Sequence, residues 1–164
     1  MVGEDIAEMK SQIDQRAKTL RPAIEEAKTF EDLFGEISDE DSDKLEYFDE
    51  VDTAVAFFTV ASELIDTYTE ELFVQRIIDD EALEDDDVKG SVVVDQLSRK
   101  GKYDVLRHFE ILEEGTNNDI EDVVHFRDSL VHDPEKVFSE KDLNVLSSRF
   151  ETALDLIDDL DQRI

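Results

Sequence analysis

Apolar residues recur every three or four positions along most of this chain, and only two prolines and five glycines among 164 residues interrupt the rhythm. That period stacks side chains on one stripe of a helix, whereas a half-buried strand needs strict alternation. No stretch alternates convincingly, so the chain is expected to be all-α. Its 40% hydrophobic content supports one core of ordinary size and is too little for two sizeable domains. The expected architecture is a four-helix up-and-down bundle over residues 41–164, preceded by a helical extension over residues 1–40.

In the extension, Ile6, Met9, Ile13, Ala17 and Leu20 follow a heptad-like spacing, and Pro22 is expected to open a second helix carrying Ile24, Phe30, Leu33 and Phe34. That narrow stripe suits docking on the chain's own core or on a second subunit. An acidic break over 36–44 leads into a long helix, expected from about Asp43 to Ile78. There Leu45, Phe48, Val51, Val55 and Phe58 form one stripe, while Ala54, Ala56, Phe57 and Val60 add apolar groups on other sides. A helix apolar around its girth belongs among several neighbours. The acidic segment 79–90 reads as a solvated loop. A helix is expected from Val92 to Leu112, packing through Leu97, Tyr103, Leu106 and Phe109 and kinked at Gly101; Arg99, Lys100, Lys102 and Arg107 make it the most basic stretch. Gly115 to Asn118 reads as a turn, with Asn118 and Glu121 as a capping pair starting the next helix. A last helix from about Ser139 carries Leu143, Leu146, Phe150, Ala153, Ile157, Leu160 and Ile164.

The net charge is −29, with 46 acidic against 17 basic residues. Acids punctuate nearly every expected helix instead of gathering in a tail, as on a surface adapted to molar salt, where screening is strong. A salt-loving source is therefore expected ahead of the alternative, an acidic mimic of nucleic acid that occupies a basic partner. Absence of cysteine excludes disulfides, thiol catalysis and cysteine-ligated metal. The longest apolar run, Ala54 to Ala61 broken by Thr59, is too short to span a bilayer, so no membrane association and a cytoplasmic location are expected.

The chemistry concentrates in Arg127-Asp128-Ser129-Leu130-Val131-His132, followed by Asp133-Pro134. Arginine keeps its charge and suits phosphate, while histidine moves protons near neutrality, the pair that phosphodiester cleavage requires. Five positions apart, the two side chains leave a helix about 140° from one another and do not share a face. Pro134 disfavours helical geometry at Asp133, which places His132 at a helix end, where the dipole and Asp128 one turn earlier favour the imidazolium.

A long apolar helix, a second helix with a basic segment, this Arg-Asp-x3-His motif and a final amphipathic helix together resemble the HEPN superfamily of all-helical domains. The likeness covers roughly residues 43–164. Many members are metal-independent ribonucleases of toxin-antitoxin and antiviral systems, with two motifs facing one cleft of a dimer. The resemblance implies a homodimer acting on RNA, a possible antitoxin partner, and no cofactor or metal. By it, Arg127 and His132 are catalytic, with Asp128 orienting His132 or shaping the cleft. One His132 would help deprotonate the ribose 2′-hydroxyl, the other would protonate the leaving oxygen, and Arg127 would stabilise the phosphorane. The toxin branch coupled to nucleotidyltransferase antitoxins usually has a tyrosine two residues after the histidine, where this chain has Pro134.

Other readings stand beside this one. Arg127 and His132 could serve as an ion pair and a helix-end cap in a noncatalytic interaction or regulatory module, and His125, Asp128 and His132 could line one helix face as metal ligands. Glu63 could reach from the long helix into a cleft or stay on its surface, and His108 reads as a surface or packing residue. No Gly-rich phosphate loop, serine nucleophile signature or His-Glu-x-x-His zinc motif is present.

Overall fold

The computed structural model describes residues 2–27, 49–78, 96–133, 137 and 143–164. Among them are five helices and no strand: α1 (Val2–Glu26), α2 (Asp49–Ile77), α3 (Arg99–His108), α4 (Glu114–His132) and α5 (Leu143–Arg163). Side-chain contacts fix their directions. Lys10 of α1 meets Asp161 of α5, and Arg21 meets Glu151, so α1 and α5 run antiparallel. Phe57 of α2 packs on Phe150 at 4.8 Å between ring centroids and Tyr68 bonds Asp161, so α2 and α5 run parallel. Phe58 lies 4.9 Å from Phe126 of α4, while Asp66 lies beside α3, which in turn pairs with Glu121. Descending α2 therefore means ascending α4. The four long helices alternate in direction, and short α3 lies across α2 and α4.

α2 is the hub. Ala54, Phe57, Phe58, Ala61, Leu64, Ile65, Tyr68, Leu72 and Phe73 are all buried, around most of its circumference, because α1, α3, α4 and α5 each take a side. The long acidic chain thus has a core of ordinary composition, in which Leu20, Ile120, Phe150 and Leu160 also lie. Ile13, Leu20 and Ile24 of α1 are buried in that core, so the stripe read from the N-terminal segment docks on its own chain.

Three boundaries differ from those the sequence suggested. Pro22 lies inside α1 instead of opening a new helix. It is exposed, so the carbonyl freed by its missing N–H faces solvent, while Leu20 and Ile24 hold the backbone on either side and Arg21 stacks 5.1 Å from the Phe150 ring. The basic helix is much shorter than residues 92–112. Ser98 caps it, its Oγ accepting from the Gly101 N–H at 3.1 Å, so Gly101 belongs to the first turn and kinks nothing.

At its other end the N–H of Ile111 donates to Leu106 O at 2.9 Å and that of Glu110 to Arg107 O at 3.0 Å, a Schellman closure. Glu110 occupies the left-handed position, φ 56°, where glycine is usual. The closure turns Leu112 inward and leaves Phe109, expected in the core, 62% exposed.

α4 begins at Glu114, four residues before the expected Asn118 cap. Buried Asn117 and Ile120 extend its inner face into the bundle, and the N–H of Asn117 donates to Glu113 O at 3.0 Å. Segments 28–48, 79–95, 134–136 and 138–142, with Pro134 and the expected loops and helix starts there, lie outside the described residues.

Candidate active site

α4 decides where the motif side chains go. Its core face is Ile120, Val123, Phe126 and Leu130, each buried and spaced by three or four. Arg127 follows Phe126 and sits at the edge of that face, with its side chain only 21% exposed. Its Nη1 lies 3.2 Å from Asp128 Oδ1, and its Nε is buried without a hydrogen-bond partner among the described residues. His132 is the last residue of α4, and Asp133 forms the cap, donating its N–H to Ser129 O at 3.0 Å. This is the helix stop expected from Pro134.

The imidazole of His132 is exposed and has no side-chain partner among the described residues. Val131 beside it is one of the few large apolar residues left exposed. The structure therefore separates the two motif residues as their spacing requires, Arg127 turned inward and His132 outward. The carboxylate of Asp128 engages Arg127.

Asp128 has a second environment. With Glu121, Asp122, Val124 and His125 it lines one wall of a groove of about 360 Å³, opposite Arg99, Lys100 and Tyr103 of α3. His125 and Asp128 share a helix stripe with His132, which lies one turn beyond the groove. Each wall carboxylate is ion-paired: Glu121 with Lys100 at 3.8 Å, Asp122 with Arg149 of α5 at 2.9 Å, Asp128 with Arg127. His125 is exposed and has no partner among the described residues. His125, Asp128 and His132 do not converge on one point, and no group of three or more metal-ligating side chains occurs among the described residues.

Beneath the groove, Asp66 of α2 accepts from the hydroxyl of Tyr103 and pairs with Arg99. Burial pushes its carboxyl above the ordinary value, against the opposing pull of Tyr103 and Arg99. Burial and the neighbouring carboxylate also raise the Tyr103 hydroxyl, so it stays a donor. Lys102, almost fully buried, reaches Glu70. Sequence reading marked these basic residues and took Tyr103 as packing, but overlooked Asp66 and Glu70. The available signal was a pair of acids four positions apart, Asp66 and Glu70, on one side of a largely buried helix. Glu63 is exposed, lining a separate α1–α2 groove with Asp5, Glu8 and Gln12, and His108 is exposed as well.

No family model, curated protein or solved structure matches the chain. Among the described residues no helix is long and apolar enough to cross a membrane.

Proposed function

We propose that the chain is a HEPN-like, metal-independent RNA endonuclease of a toxin-antitoxin or antiviral defence system, active as a homodimer. The observation that carries this reading is His132, an exposed imidazole at the end of α4 with no partner among the described residues, five residues after a sheltered arginine. One chain does not focus both side chains on a single phosphate, since they leave α4 about 140° apart. A second copy meeting the His132 end would supply the missing partner, with Val131 as an apolar contact. In that cleft one imidazole takes the proton of the 2′-hydroxyl and the oxygen attacks the adjacent phosphorus. The other imidazolium protonates the departing 5′-oxygen, leaving a 2′,3′-cyclic phosphate. Arg127, released from Asp128 or shared with it, offers its guanidinium to the pentacoordinate phosphate.

Purified protein in molar KCl tests this. Cyclic-phosphate ends produced by the native chain and absent with Arg127→Ala and with His132→Ala, both folded and of unchanged oligomeric state, are the expected result. No cleavage above the variants' background across varied RNAs would sink the enzyme.

A second reading, a noncatalytic interaction module, draws on the burial of Arg127 and its engagement with Asp128. It anticipates that Arg127→Ala lowers stability by about 1 kcal/mol while His132→Ala changes neither stability nor any activity.

A further inference from the structure

The two grooves of this bundle differ in how their acids are balanced. On the wall of the α3–α4 groove each carboxylate has its own cation: Lys100 for Glu121, Arg149 for Asp122 and Arg127 for Asp128. The other groove, of about 420 Å³, runs between α1 and α2. Its α1 side is Asp5, Glu8, Met9 and Gln12, and its α2 side is Val60, Glu63 and Thr67. None of its three acids meets a cation among the described residues. Glu8 accepts from the Gln12 side-chain amide at 3.4 Å, while Asp5 and Glu63 are exposed and unpaired there.

The imbalance starts in the sequence. α2 carries a single basic residue, Arg76, about 20 Å along the helix from Glu63. On α1, Lys10 and Arg21 are turned to Asp161 and Glu151 of α5, and Arg16, one turn past Gln12, donates to the Gln12 carbonyl at 3.2 Å. The helix dipole favours Asp5 in the first turn of α1, but it fades within that turn and accounts for neither Glu8 nor Glu63. These acids also border an apolar floor, since Met9 and Val60 are half-buried and pack against the core.

The lining residues form two stripes spaced by three and four, each about 10 Å long, or two helical turns. α1 runs antiparallel to α5 and α2 runs parallel to it, so the Asp5 end of one stripe faces the Thr67 end of the other. We propose that this seam docks a basic amphipathic helix of another protein. An apolar side chain of that helix lies on Met9 and Val60, and Lys or Arg one turn to either side reach Asp5 and Glu8 on one rim and Glu63 on the other.

Charge selects this occupant. A second copy brings a further −29 and the same unpaired acids to the contact, so it is repelled. A linear polyamine neutralises the rims but has no branched apolar group to fill the floor. The proposal is independent of the ribonuclease reading: Val60 leaves α2 about 160° from Phe58, which packs on Phe126 of α4, so the seam lies on the far side of α2 from the motif helix.

The test is fluorescence anisotropy of a labelled synthetic helix of about fifteen residues, long enough to form on its own, with two leucines one turn apart flanked by lysines. The full chain is titrated across a KCl series in which circular dichroism shows each variant folded. A scrambled peptide of the same composition controls for the field of the whole chain and should bind about tenfold more weakly. Glu8→Gln with Glu63→Gln should weaken the ordered helix about tenfold, and Met9→Gln about fivefold. Asp14→Asn with Glu25→Gln, which removes the same charge from exposed α1 positions outside the groove, should change binding less than about twofold.

Equal binding of the ordered and scrambled peptides, or equal losses in the two double variants, overturns the seam in favour of unspecific attraction by net charge. Spermine binding that needs Glu8 and Glu63, with no binding of the helix, overturns it in favour of a small polyamine. Self-association in sedimentation that Met9→Gln abolishes overturns it in favour of a second copy. No binding of the helix at any salt that keeps the chain folded overturns it outright.

Discussion

Two clusters of the same chemistry, each a carboxylate, a tyrosine and a cation, pin this bundle at different places. In one, Asp161 of α5 accepts from Tyr68 of α2 and from Lys10 of α1, both at 2.8 Å. In the other, Asp66 of α2 accepts from Tyr103 and pairs with Arg99 of α3. Their carboxyls respond in opposite senses. Asp161 is lowered from the ordinary value by the hydrogen bonds from Lys10 and Tyr68, whereas Asp66 is raised because burial outweighs the same kinds of partner. A tyrosine and a cation therefore do not dictate a common electrostatic outcome; the depth of the carboxylate decides it. The shallow cluster ties three long helices together, and the deep one holds the short basic helix that forms one wall of the groove.

Truncation should separate the clusters most strongly. Asp66→Ala leaves the buried Tyr103 hydroxyl without its carboxylate and Arg99 without its pair, an expected loss of about 2–3 kcal/mol in urea unfolding. Asp161→Ala removes one hydrogen bond to a buried tyrosine and an ion pair open to solvent, an expected loss of about 1 kcal/mol. Equal losses would mean that depth does not distinguish them. Next in size is Glu110→Gly, which relieves the left-handed residue anchoring the end of α3 and should raise stability by up to about 1 kcal/mol. No gain would mean that the Glu110 side chain compensates its own strain.

The smallest effect is the most diagnostic. The raised Asp66 binds its proton more tightly in the folded state, so its contribution is present below the ordinary 3.8 and is lost as pH rises through the folded value. The lowered Asp161 contributes above 3.8 and loses that contribution as pH falls through its folded value. The stability gap between native protein and Asp66→Asn should therefore widen as pH falls toward 3.8, while the gap for Asp161→Asn should narrow below it. Urea midpoints at a series of pH values measure both, and parallel trends would contradict the comparison.

Helix content, the girth of α2 and the stop at His132 were legible because each follows from local periodicity or from one proline. The boundaries of α3 were not. Leu97 to Leu112 keeps a helical rhythm, and what breaks it is a cap by Ser98 and a left-handed Glu110, a turn that sequence rules assign to glycine. Pro22 misled in the other direction, since the contacts that carry α1 through it come from Phe150 and Glu151, more than 120 residues away.

At the candidate site, the angular separation of Arg127 and His132 could be calculated in advance. The capture of Asp128 by Arg127 could not, because adjacent helix positions do not ordinarily face each other and the spacing favoured His132 one turn on. Exposure of Phe109 was likewise invisible, being a consequence of the Glu110 turn.

Contact with all four other helices gives α2 a kinetic consequence. Any local opening of the bundle can release α1, α3, α4 or α5 while the remaining neighbours still cover α2, so its central amides, from Phe57 to Tyr68, should exchange with solvent deuterium only through global unfolding. Among the described helices, the ends of α3, held largely by polar contacts, should exchange first.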